Sequence, residues 1–199
     1  MRKKVAIAVT GLFLLNTLYM FPSAQAASKK FALSSPIAKE KGMLPAEYTC
    51  DGVSATPELR WSNPPKGSKS FALLMSHIPP TGPGAPETPH WYWIVWDIPA
   101  NAKSLPKNST SIGKTGGNSV NRDIGYAPPC SKGPGEKLYT YTIYALSKSA
   151  NLGEVSSASV SREILLNAIS KITLGKATFN LTYTRPEGAT DGPPPPPSK

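Results

Sequence analysis

Apolar and polar positions alternate with a period of two along most of the patterned stretches of this 199-residue chain. Ala177, Phe179, Leu181 and Tyr183 alternate with Thr178, Asn180, Thr182 and Thr184, the mark of a strand with one wet face. Residues 139–146 alternate Thr with Tyr and Ile before turning wholly apolar. Residues 70–75 read as a buried strand. Residues 91–97 are dense in aromatic and β-branched side chains and end at Ile98-Pro99, where proline cannot donate to a ladder. One segment departs from this period. Ser161 is placed to cap a helix, with Glu163 in its first turn, Leu165, Ala168, Ile169 and Ile172 on one face, and Gly175 as its expected stop. Many strands, one late helix and a final strand predict a mainly β, mostly antiparallel fold with a little helix attached.

Composition sharpens this picture. Proline and glycine together supply 38 of the 199 residues, which favours short strands and many turns. Long segments at 76–89, 100–121 and 122–137 are rich in Pro, Gly, Ser and Asn and read as loops. Loops of that length in a compact domain tend to carry function. With 39% hydrophobic and 17% charged residues, the chain is neither disordered nor an integral membrane protein.

The first residues read as an address. Arg2, Lys3 and Lys4 precede an apolar run from Val5 to Phe21, and Ser23-Ala24-Gln25-Ala26 has the small-x-small form of a cleavage site. The run is interrupted by Thr10, Gly11, Asn16 and Thr17 and is short for a membrane span. The expected organisation is a signal peptide over 1–26, one domain over 27–185 and a disordered proline-rich tail over 186–199. The mature chain is then exported, periplasmic or secreted. Cleavage removes three basic and no acidic residues and takes the formal charge from +10 to +7. The remaining cations are scattered, which argues against nucleic acid and leaves a basic surface open to peripheral contact with anionic membranes. Export would place Cys50 and Cys130 where a disulfide persists, and the two are a candidate pair. The alternative is two buried free thiols.

Candidate chemistry is sparse. The chain has two histidines, His77 and His90. It has no HExxH, no Cys-x-x-Cys, no cluster with metal-ligand spacing, no G-x-S-x-G elbow and no phosphate-cradling glycine loop. A hydrolytic set of Ser76 or Cys130 with a histidine would require folding to bring those groups together. His90 also fits a strand start satisfied by a backbone carbonyl, and Trp61, Trp91, Trp93 and Trp96 suit core positions.

An ordered string of motifs goes further. It runs through Tyr48-Thr-Cys-Asp-Gly52, Pro57-Glu-Leu-Arg-Trp61, Ser70-Phe-Ala-Leu73, His90-Trp91, Asp97-Ile-Pro99, Gly125-Tyr-Ala-Pro-Pro-Cys130 and Tyr144-Ala-Leu146, and ends with the late helix and closing strand. Over roughly residues 31–185 the chain resembles the phosphatidylethanolamine-binding protein family in its bacterial Raf-kinase-inhibitor-like branch. The resemblance implies a β-sandwich of two antiparallel Greek-key sheets with a few peripheral helices, including one near the C-terminus. It implies a binding protein rather than an enzyme, with no cofactor, and a small pocket for an anionic ligand or phospholipid head group. The alternative it leaves is an inhibitor or scaffold acting on a protein partner, such as a kinase or protease, through surface loops, with the ligand pocket degenerate.

Position by position, His90, Pro129 and Tyr139 match the family's pocket residues. Ser76-His77-Ile78-Pro79-Pro80 stands where the family has Asp-Pro-Asp-x-Pro, and Lys137-Leu138 replaces its His-Arg pair. Trp91 and Tyr126, inside the matching motifs, complete the expected lining. Losing two carboxylates while gaining His77 and Lys137 makes the expected pocket more positive and easier for an anion to enter.

Overall fold

Among the described residues, eight strands and one α-helix build two sheets with a core between them. The computed structural model describes residues 29–38, 42–80, 83–84, 87–130 and 135–189. The expected leader over 1–26 and the proline run at 193–197 lie outside the described residues. β1 (Ala32–Ser34), β2 (Leu59–Ser62) and β5 (Ser104–Leu105) form a small antiparallel sheet in the order β1-β2-β5. β3 (Ser70–His77), β4 (His90–Pro99), β6 (Lys114–Thr115), β7 (Lys137–Leu146) and β8 (Thr173–Tyr183) form a larger antiparallel sheet in the order β6-β4-β3-β7-β8. Four of these elements grow from the patterned stretches. The segment expected as a loop at 100–121 holds the two-residue strands β5 and β6.

Strand composition follows position in the sheet. β3 is the middle strand and is covered on both sides, so six of its residues in succession, Ser70 to Met75, are buried. Phe71, Leu73 and Met75 face Leu33, Leu59, Trp61 and Leu105 of the small sheet. Ala72 and Leu74 point the other way and join Ile94, Trp96 and Leu146 under the helix α1 (Arg162–Ile169), which contributes Leu165 and Ile169. β8 is the last strand of its sheet and keeps the alternation read from the sequence, with Ala177, Leu181 and Tyr183 buried between exposed or half-exposed neighbours. Burying a large apolar side chain stabilises by about 1.5–3 kcal/mol, so these two layers carry most of the folding free energy.

The helix begins as expected and ends earlier. The Ser161 side chain accepts from the Ile164 N–H at 3.3 Å and caps the first turn. The expected stop at Gly175 is overturned: the helix ends at Ile169, and Gly175 lies inside β8 opposite Ala145. A Cβ at Gly175 would approach Pro65 Cγ to 2.9 Å. The glycine serves a close crossing beneath the small sheet's neighbouring turn, not a helix terminus.

The packed layer between the sheets also holds phenols. Burial pushes Tyr141 and Tyr126 above their ordinary value near 10. Tyr126 is partly exposed as a residue but turns its hydroxyl inward to donate to the Tyr48 carbonyl at 2.7 Å. Above pH 10 the unfolded chain loses these two protons while the folded chain keeps them. The unfolded state then binds fewer protons, and stability falls as pH rises. The expected loss is about 1.4 kcal/mol per pH unit for each tyrosine. Urea titrations at pH 9, 10 and 11, with tyrosinate absorbance followed in parallel, measure it, and a flat profile contradicts the burial.

Candidate functional site

One end of the large sheet collects the histidines. β3 closes on His77 and β4 opens on His90, and the antiparallel register sets these two residues directly opposite each other. Cross-strand partners point to the same face, so both imidazoles project on the side that carries the inter-sheet core. His77 is buried and His90 is exposed. The His77 Nδ1 lies 2.9 Å from the Leu138 carbonyl oxygen. A carbonyl only accepts, so Nδ1 carries the hydrogen and Nε2 is left for another partner.

Aromatic rings set the floor beneath them. The Tyr139 ring lies 5.3 Å from the His77 ring and takes the edge of Tyr92 at 5.2 Å. Tyr139 is fully buried, so it supports the imidazole from inside the sandwich. Lys137 lies two residues before it, on the same face of β7, opposite Tyr183, and its Nζ donates to the Gly135 carbonyl at 3.2 Å.

A second group of the expected residues lies elsewhere. Ser76 and Trp91 pair with each other and project from the opposite face of the sheet. Regular alternation would set Trp91 on the same side as Trp93. A bulge between Met75 and Ser76 breaks it, so Tyr92 and Trp93 both enter the inter-sheet core while Trp91 packs under the helix side. There the Trp91 indole N–H donates to the Gly117 carbonyl at 3.0 Å. The ring lines a cleft of about 430 Å³ with Arg122, Ser159 and Ser161. Trp91 and Ser76 therefore do not share a pocket wall with His90. The hydrolytic set also fails to assemble, because Ser76 faces away and the Cys130 sulfur is bonded to Cys50.

Pro129 and Tyr126 belong to a clamp beside the site. Cys50 and Cys130 form a disulfide across a sequence separation of 80, with Cα atoms 5.3 Å apart. The Cys50 N–H donates to the Pro129 carbonyl at 3.2 Å, and Tyr126, edge-on to Trp93, donates to the Tyr48 carbonyl. These bonds tie the turn after the short 3-10 helix Ala46–Tyr48 to the segment 126–130.

That turn presents a residue that sequence reading gave no role. Asp51 accepts from the Tyr183 hydroxyl at 2.8 Å and from Arg185 Nε at 3.0 and 3.1 Å. The Arg185 side chain is 8% exposed and that of Asp51 13%. Arg185, where the polar C-terminal stretch begins, is thus folded back into the domain. Asp51 sits inside the Tyr48–Gly52 motif, but nothing local in the sequence points to a partner 134 positions away. Burial raises the Tyr183 phenol above its ordinary value, with Asp51 adding to the effect. Tyr183 therefore acts as a neutral donor to the carboxylate.

The arrangement can hold charge and donate hydrogen bonds. The exposed His90 imidazole and the Lys137 ammonium lie on one face of the sheet and suit an acceptor-rich ligand.

The family profile described as Phosphatidylethanolamine-binding protein matches residues 34–184. A UPF0098 protein of Methanothermobacter thermautotrophicus is 30% identical over 151 residues, covering 73% of this chain and 93% of that relative. A UPF0098 protein of Chlamydia trachomatis is 28% identical over 162 residues, covering 81% and 99%. The crystal structure of a phosphatidylethanolamine-binding protein homologue from Chlamydia trachomatis superposes with a TM-score of 0.68 at 25% identity, over 78% of this chain and 98% of that one. YbcL of Escherichia coli shares the fold at a TM-score of 0.66 and 22% identity, over 79% of this chain and 100% of its own. The profile match spans the large sheet, β2 and β5 of the small one, the disulfide and the facing histidines, and the chain belongs to the phosphatidylethanolamine-binding protein family.

Proposed function

We propose that this chain is an exported, non-enzymatic binding protein that takes a small anion or a phospholipid head group at the histidine end of its large sheet. The observation that carries this reading is the facing pair His77 and His90, with His77 held by the Leu138 carbonyl and the Tyr139 ring. The exposed His90 imidazole offers an N–H to a phosphate or carboxylate there, His77 offers one when its Nε2 is protonated as well, and Lys137 on the same face favours negative charge. Ile78 and Leu138, each 48% exposed, flank His77 in sequence and on the neighbouring strand. Leu138 alternates with Lys137 and Tyr139 and so points to the opposite face of the sheet from the histidines, and its exposed side chain suits peripheral contact with a membrane surface rather than contact with the head group.

Export rests on two features. The leader composition over 1–26 has the charged, apolar and small-residue order of a secretory signal, and the Cys50–Cys130 bond suits an oxidising compartment. N-terminal sequencing of the mature chain tests it. A start at Ala27 supports the reading, and retention of Met1 rejects it.

Titration with phosphate, acetate and phosphorylethanolamine, followed through imidazole nitrogen shifts, tests the pocket. The expected result is saturable movement of His77 and His90 at millimolar ligand, weakened tenfold or more by His90→Ala. Unmoved imidazoles at that concentration reject the pocket. Vesicles carrying phosphatidylethanolamine separate the lipid head group from the free anion.

A further inference from the structure

We infer that His77 and His90 form a two-imidazole chelate for a late first-row divalent metal ion, a site distinct in chemistry from the anion pocket. Metal-ligand spacing is absent from the sequence because the two residues meet only across strands. The register places them opposite each other on β3 and β4, where facing Cβ atoms lie about 4.5–5.5 Å apart. Metal–imidazole bonds are about 2.0–2.1 Å long. Two imidazoles rising from facing positions can therefore converge on one ion above the sheet.

The hydrogen bonding at His77 has the form that metal-binding histidines use. Ligating imidazoles usually donate their second N–H to a carbonyl or carboxylate, which sets the tautomer and the ring orientation. Here Nδ1–H donates to the Leu138 carbonyl at 2.9 Å, and the Tyr139 ring supports the imidazole at 5.3 Å. Nε2 is the nitrogen left to ligate. His90 is exposed, so its side chain is free to swing to meet the same ion. One ligand is preset and the other mobile, which favours reversible capture.

Chemistry narrows the ion. Two neutral nitrogens suit Cu(II), Ni(II) and Zn(II), with Cu(II) bound most tightly, and do not suit the oxygen-seeking Mg(II) and Ca(II). Among the described residues no group of three or more His, Cys, Asp or Glu gathers to complete a closed site. Coordination positions stay open for water or an anion. Lys137 shares this face but lies on β7, beyond β3, with its ammonium on the Gly135 carbonyl. It disfavours the cation modestly and favours an anion as the completing ligand.

The test uses the purified chain without any histidine tag, stripped of metal and free of phosphate. Cu(II) and Zn(II) are titrated separately, with Mg(II) as the comparison. The chain has two histidines in all, so imidazole-nitrogen hyperfine coupling in the Cu(II) spectrum has no other source. The expected result is one ion per chain, coupling to two imidazole nitrogens, no Mg(II) binding, and at least tenfold weaker affinity in His90→Asn. His77→Asn should do the same. His90 is exposed, so its variant decides the question even where the buried His77 variant fails to fold. One ion shared by two chains, coupling to a single imidazole, or unchanged affinity in His90→Asn overturns the chelate. Phosphate titration in the presence of a chelator runs alongside. Metal binding without phosphate binding rejects the anion pocket and leaves the chelate standing, and the converse result does the reverse.

Discussion

Replacing Cys50 and Cys130 together by alanine lowers the unfolding free energy by about 4–5 kcal/mol, the loop-closure value for a link across 80 residues. That is a large share of the 5–15 kcal/mol of a typical domain. The bridge joins a turn near the start of the domain to the segment leading toward β7, and neither segment belongs to a sheet. Apart from the disulfide, the Cys50–Pro129 and Tyr126–Tyr48 hydrogen bonds join them. Each such bond contributes about 0.5–1.5 kcal/mol net, so they do not replace the covalent link. Urea unfolding of the oxidised protein and of the double variant measures the difference. A loss below 1 kcal/mol would mean that the clamp hardly restricts the unfolded chain.

The second large effect is at Asp51. Asp51→Ala removes an acceptor shared by Tyr183 and Arg185 and takes the paired carboxylate from a guanidinium whose side chain is 8% exposed. Breaking a buried pair from one side costs about 3–5 kcal/mol, because the remaining charge loses its opposite partner where water reaches it poorly. Tyr183→Phe removes one hydrogen bond to the same carboxylate and costs about 1.5–3 kcal/mol. The order of the two losses is the diagnostic. Thermal and urea unfolding should rank Asp51→Ala as the more damaging. The reverse order would show that Arg185 finds solvent in the variant and that the tyrosine bond is the stronger anchor. The network also holds β8 beside Lys137, since Tyr183 faces Lys137 across the β7–β8 pair. Asp51→Ala is therefore expected to loosen the histidine end of the sheet as well as the fold. Faster amide exchange in β7 near Tyr139 would report it.

The chemistry of the candidate site was partly legible in the chain. His90 stands in a motif whose order marks the family and Tyr139 matches one of its pocket positions, and the structure brings both to one face of one sheet, with His77 between them. Ser76 stands in the stretch that matches the family's acidic loop and Trp91 in the motif that begins with His90, yet both leave the histidine face. A strand separates adjacent residues to opposite faces, and the bulge at Tyr92 then shifts the parity of everything before it. Pro129 and Tyr126 occupy matching positions, yet the structure commits them to a clamp through backbone carbonyls, which sequence does not display.

Local physics settles what a short window contains. The period of two in β8, the all-apolar run of β3 and the capping serine of the helix were all readable, because each depends on residues a few positions apart. Long-range choices were not. Which cysteine form the chain adopts, which residue faces His77, which carboxylate receives Arg185 and why Gly175 sits in a strand all depend on register between segments distant in sequence. That register follows from the sum of many packing contacts across two layers, and no window of the chain contains it.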